Sequence, residues 1–138
     1  MTKVSAEVLA QFTRVNVNRF FKMELLEQRQ GEAKIRLALT SEYAQETSIV
    51  HGGIITTLAD TACVYTFIPH LSPDEMPSSI EFKVNFLNAA FVDKGDLISN
   101  AKAIKSGKSV IVCEAEVLQS EKLIAKGLFT YLRFKRKT

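Results

Sequence analysis

Hydrophobic period divides the chain into helical and extended stretches. Residues Ser5 to Phe21 put Val8, Leu9, Phe12, Val15 and Phe20 or Phe21 near one stripe at helical spacing, with Ser5 as a cap, and predict an N-terminal helix. From Ala33 the period drops to two. Ala33, Ile35, Leu37 and Leu39 alternate with Lys34, Arg36 and Ala38, which predicts a half-buried strand whose hairpin partner is Met23 to Gln28, turning near Gln30-Gly31. Further on, Ile80, Phe82, Val84 and Phe86 alternate with Ser79, Glu81, Lys83 and Asn85. The stretches Leu97 to Ile104, Ser109 to Leu118 and Leu123 to Phe134 follow after short turns. Strands of about ten residues joined this way predict a four-strand antiparallel meander. Between the two strand groups, Gly52 to Phe67 predicts one helix, ended by Pro69. The expected architecture is α+β, a single domain over 1–138 in which the central helix (about 52–67) covers the apolar face of an antiparallel sheet.

The central helix has two sides of different character. At 100° per residue Ile54, Leu58, Ala62 and Tyr65 form one stripe, flanked by Ile55 and Ala59, and this stripe is expected on the sheet. The opposite side shows Thr56, Asp60, Cys63, Val64 and Phe67, a single carboxylate among small and apolar residues. Such a face needs a cover. In a chain this small the expected cover is a second copy, giving a two-fold dimer. Asp60 has no basic residue at i±3 or i±4 to pair with, and a partly desolvated carboxylate has the raised proton affinity that suits a general base.

The start of the same helix carries complementary chemistry. His51-Gly52-Gly53 places two glycines in the first turn, where amide hydrogens lack intrahelical acceptors and the dipole end is positive. Glycine lets a carbonyl oxygen come close, although the pair also serves as a sharp entry into the helix, and His51 as its cap. Asp60 is about 12 Å along the axis from that turn. The two meet only if helices from two protomers run antiparallel.

Composition narrows the classes of function. With 138 residues, 46% hydrophobic, 24% charged, six Gly and three Pro, the chain reads as an ordinary globular domain rather than a disordered or fibrous one. No stretch is apolar enough for a bilayer span or a signal peptide, so a cytoplasmic, membrane-free protein is expected. Cys63 and Cys113, with only two His in the chain, give neither a disulfide framework nor a metal site, and both read as buried apolar residues. Residues 1–100 hold nine Lys or Arg against twelve Asp or Glu, whereas residues 101–138 hold nine against three. The last quarter is basic. It lacks the interleaved aromatics of a nucleic-acid surface, which leaves a solvated face or a site for a smaller polyanion.

The run HGGIITTLADTACVYTF, residues 51–67, resembles the central-helix signature of hotdog-fold acyl-CoA thioesterases of the phenylacetate-pathway type, over about residues 20–134. The resemblance implies a hotdog fold, a sheet wrapped around the long helix and dimerised sheet to sheet, often further into tetramers. It also implies an acyl-CoA substrate at the subunit interface. No separate cofactor is expected, because coenzyme A is part of the substrate. Carried over residue by residue, Asp60 is the carboxylate that activates water or acts as nucleophile, and the Gly52 amide is the oxyanion donor, with His51 beside it. Gln45 stands where some relatives hold the carbonyl with Asn, and Ser79, or Ser78, matches a water-orienting hydroxyl. Gly53 and the Lys105–Lys108 turn fall on the coenzyme, and Phe67, Tyr65 and Phe86 are candidates for the acyl pocket. The alternative is a hotdog sensor that binds acyl-CoA without cleaving it.

Overall fold

The computed structural model describes residues 4–137. In chain order the elements are α1 (Ala6–Arg14), α2 (Asn16–Phe20), β1 (Glu24–Arg29), β2 (Glu32–Leu37), α3 (Gly52–Val64), β3 (Glu75–Phe86), β4 (Leu97–Ser106), β5 (Val110–Gln119) and β6 (Lys122–Lys135). One six-stranded antiparallel sheet, ordered β1-β2-β4-β5-β6-β3, curls around α3. The wrapped α+β architecture is therefore the expected one. Among the described residues no helix is long and apolar enough to cross a membrane.

Three details correct the expectation from periodicity. The N-terminal helix is two helices, broken at Val15, whose backbone is extended. Asn18 Nδ2 donates to the Phe12 carbonyl (2.9 Å) and Arg19 Nη1 to that of Thr13 (2.8 Å), replacing the backbone donors that a continuous helix would supply. The central helix stops at Val64 rather than Phe67, because the Thr66 hydroxyl takes the Cys63 carbonyl (2.7 Å) and a short 3₁₀ turn over Ile68–His70 follows. Third, only β4, β5 and β6 form a meander. The ten residues after Phe86 carry the chain past β6 and β5, leaving β3 at the sheet edge against β6 and letting β4 pair with β2.

The core lies between α3 and the concave face. Ile55, Leu58, Ala59, Ala62 and Cys63 of the helix are buried with Ile35, Leu37, Leu97, Ile111, Cys113, Ala115, Val117 and Phe129 of the sheet. The helix end is pinned by the β1–β2 turn. Gly31 adopts φ +87°, a conformation that favours glycine, and so aims its N–H at the Thr66 carbonyl (2.8 Å) while its own carbonyl accepts from Ala103 N–H (2.8 Å).

Edge strand β3 is fixed to β6 in two ways. Arg133 donates two hydrogen bonds to Glu75 (3.0 and 2.8 Å), and with the Ser72 N–H these hold the Glu75 carboxyl down at about 2. The pair therefore adds stability above the ordinary carboxylate range and loses it as pH falls toward 2. At the other end Gly127 permits close approach, since a Cβ there would lie 2.7 Å from the Lys83 carbonyl. Gly127→Ala is expected to destabilise the protein by roughly 1–3 kcal/mol, the usual effect of overpacking. The check is the urea midpoint, and an unchanged midpoint would contradict this β3–β6 contact.

Candidate active site

The exposed side of α3 is less greasy than its sequence suggests. Cys63 is fully buried on the sheet side beside Cys113, whose Sγ lies 3.7 Å from the Cys63 carbonyl. Phe67 lies beyond the helix end, where its ring packs on Tyr131 at 5.1 Å between centroids. What remains outward is Thr56, Thr57, Asp60, Thr61 and Val64. Each threonine donates its hydroxyl to the carbonyl four residues back (2.9, 2.8 and 2.8 Å). With those hydroxyls occupied, the face offers methyl groups and one carboxylate.

That carboxylate is half-buried. Asp60 Oδ1 accepts a hydrogen bond from the Tyr131 hydroxyl at 2.6 Å, and Tyr131 is 2% exposed. Burial pushes the Asp60 carboxyl above its ordinary value, and the Tyr131 bond works in the opposite sense without cancelling it. Among the described residues no Lys or Arg forms an ion pair with Asp60. Tyr131 is the site residue that period and motif did not single out. Its only signal in the sequence was an inward place in an alternating strand, which it shares with Phe129.

At the N-terminus of α3 the backbone is arranged for an anion. His51 Nδ1 accepts from the Gly53 N–H (2.9 Å), which caps the helix and leaves the ring hydrogen on Nε2. The Gly53 N–H is thereby occupied, whereas the Gly52 N–H has no acceptor among the described residues. Phe86 lies over Gly52, with a Cβ there 3.1 Å from its ring. Together with Gln45, Ile49, Val50, Ile55 and Leu87 they line a cavity of about 360 Å³.

Several expected residues come together and others do not. Gln45, Gly52 and Phe86 share the cavity, while Asp60 sits about two helical turns away at the Tyr131 end. Ser79 is the cross-strand partner of Tyr131 and so shares its inward face, whereas Ser78 pairs with Leu132 on the outer face. Tyr65 is held in the core, stacked edge-on with Phe12 and hydrogen-bonded by Asn18, so it does not line the cavity. Cys63 is fully buried with its thiol pushed up by that burial, which leaves no thiolate to attack a substrate. Lys105 and Lys108 flank the β4–β5 turn, exposed, and β6 brings Arg133 beside that turn by donating its N–H to the Ser109 carbonyl (2.8 Å).

Comparison with known proteins places the chain in a family and a fold. A family model described as the thioesterase superfamily matches residues 47–125. The 1,4-dihydroxy-2-naphthoyl-CoA hydrolase of Listeria monocytogenes is 30% identical over 103 residues, covering 74% of this chain and 82% of that protein. Among solved structures, a thioesterase family protein from Silicibacter pomeroyi superposes with a TM-score of 0.84 at 22% identity, covering 94% of this chain and 97% of that one. The PaaI protein of the E. coli phenylacetic acid degradation operon gives a TM-score of 0.83 at 20% identity over 92% and 90%. At those identities the two structures speak for the fold.

The raised Asp60 pKa has a sign that thermal melts can read. Stability from the protonated form is full at low pH and is lost as pH rises through the elevated value, so the ionised carboxylate weakens the fold at neutrality. Asp60→Asn is therefore expected to raise the melting temperature at pH 7. The gap should close toward pH 4. A lower melting temperature at pH 7 would contradict the desolvated carboxylate.

Proposed function

The chain belongs to the thioesterase superfamily and is a thioester hydrolase, and from that premise we propose that it cleaves acyl-coenzyme A thioesters with Asp60 as general base. The observation that carries this reading is the half-buried Asp60 carboxylate, with no cationic partner among the described residues and with Oδ1 held by Tyr131. A group of this kind is ill suited to stability and well suited to taking a proton from water. Water attacks the thioester carbon and gives its proton to Asp60. The carbonyl oxygen becomes an oxyanion held by a Gly52 N–H. As the C–S bond breaks, the leaving thiolate takes the proton from Asp60, which releases acid and thiol and restores the carboxylate.

Both halves of the site come from different copies of the chain in this proposal. Edge strand β3 is twelve residues long and presents Ile80, Phe82 and Phe86 at 56%, 52% and 54% exposure, an edge that invites pairing. A two-fold axis through paired β3 strands reverses α3, so that the partner's Gly52 approaches Asp60 and the threonine face is covered. The basic turn supports a coenzyme at that end, because Lys105, Lys108, Lys135 and Arg136 gather there with their charges outward.

A panel of acyl- and aryl-CoA thioesters assayed for thiol release tests the reading. At least one member is expected to be hydrolysed, with a loss of about 10² or more in Asp60→Asn. Binding without turnover by the native protein would favour a sensor instead. Gly52→Pro removes the donor at a helix position where proline is tolerated, and is expected to lower turnover by about 10²–10³. Mixed dimers of the two variants hold one intact site each. Randomly paired, they should recover roughly a quarter of the native rate, and no recovery would contradict the shared site.

The coenzyme end is tested separately. Lys105→Ala with Lys108→Ala is expected to raise KM for an acyl-CoA about 10-fold while leaving it unchanged for the matching pantetheine thioester, which lacks the nucleotide. An equal change for both substrates would remove these lysines from phosphate recognition.

A further inference from the structure

The hydroxyl of Tyr131 lies 71 residues along the chain from Asp60 and is buried against it. Its geometry is specific. The O–H donates to Oδ1 at 2.6 Å with a longer approach to the Asp60 backbone carbonyl at 3.3 Å, so the carboxylate is tied to the helix and the sheet at once. The second oxygen, Oδ2, has no hydrogen-bond partner among the described residues. The ring cannot swing away, because Phe67 packs on it and the strand places it between Ile111 and Ser79. We infer that Tyr131 is a positioning residue: it holds one oxygen of the Asp60 carboxylate and so presents the other to the hydrolytic water. The inference rests on Asp60 acting as the base.

The contact makes two demands that a merely structural hydroxyl does not. One is on rate. A carboxylate free to rotate about its side-chain torsions spends less time with either oxygen aimed at the water, so the loss falls on kcat rather than on KM. The other is on titration. The titratable groups near Asp60 are Tyr131 from β6 and Cys63 from its own helix, with Cys113 of β5 next to those two, and only Tyr131 donates to the carboxylate. Removing that donor leaves burial unopposed and moves the ionisation of Asp60 to higher pH.

Tyr131→Phe keeps the ring and deletes the hydroxyl. It is expected to lower kcat about 10-fold or more with KM within about twofold, and to shift the acid limb of the kcat profile up by about one pH unit, as loss of a charge-assisted hydrogen bond should. In an Asp60→Asn background the same change should add nothing to the residual rate. If Tyr131→Phe does not fold, biosynthetic 3-fluorotyrosine replaces it, because the more acidic phenol is a stronger donor and must move the acid limb down. Neither Tyr43 nor Tyr65 bonds to Asp60, so that shift reports on Tyr131. Native turnover with an inactive Asp60→Asn and an unmoved acid limb overturns the role of Tyr131 alone. No loss of turnover in Asp60→Asn overturns the general base, and the positioning role with it.

Discussion

Close packing of α3 in the curl of the sheet sets the position of everything chemical in this molecule. The contact uses small side chains on both sides: Ala59, Ala62 and Cys63 of the helix face Ser99, Ala101, Cys113 and Ala115 of the strands. Small residues let the two layers approach until backbone and Cβ atoms touch, and interiors of this density leave little room for sliding. The buried Ser99 hydroxyl, which finds no partner among the described residues, fits this account. An unsatisfied hydroxyl costs about 1–3 kcal/mol, so its place in the wall reflects size more than polarity. With the helix fixed in height and rotation, Asp60 falls where a tyrosine from β6 just reaches it.

The site then combines two local costs. Among the described residues, one is a carboxylate partly withdrawn from water without a cation beside it, and the other is an amide hydrogen at the start of the same helix without an acceptor. Each alone is unfavourable. In the proposed dimer they answer each other, since the positive end of the partner's α3 comes to the negative group of this one. That arrangement stabilises the ionised base by the helix dipole and still leaves the Gly52 N–H free for a carbonyl oxygen. Placing both devices on one helix, about two turns apart, makes a single chain inactive by geometry on this account.

Much of this was legible in the residues before any coordinates. Period two and the hairpin turn anticipated the six strands within a few positions, and His51, Gly52 and Asp60 fall on the one helix that the spacing predicted, where they form the two ends of the proposed site. What escaped were relations that depend on partners far along the chain. Alternation tells which face a strand residue takes but not which strand lies beside it, so β3 was expected next to β4 when it pairs with β6. A helical wheel rotated by one residue moves Cys63 from one side to the other, and the sheet chose the inward side. The break at Val15 depends on side chains of Asn18 and Arg19 acting as caps, which apolar period does not register. Tyr131 was hidden for the same reason, because its hydroxyl has meaning only opposite Asp60.

The uneven charge of the chain acquires a direction from the same topology. Nine of the eighteen Lys and Arg fall after residue 100, and the strand register gathers several of them at one end of the sheet, through the β4–β5 turn and the end of β6. Arg133 is spent on Glu75, but Lys105, Lys108, Lys135 and Arg136 are exposed. The cavity beside Gly52, with Ile49, Val50, Ile55, Phe86 and Leu87 in its wall, lies toward the opposite end, at the start of α3. A substrate with a polyanionic tail and an apolar head therefore has no complete site in one chain. Across the proposed two-fold axis the basic end of one protomer adjoins the partner's cavity, so the thioester between head and tail comes to rest where Asp60 and the partner's Gly52 meet. Charge, cavity and catalytic groups are thus ordered along one line only when two chains supply them.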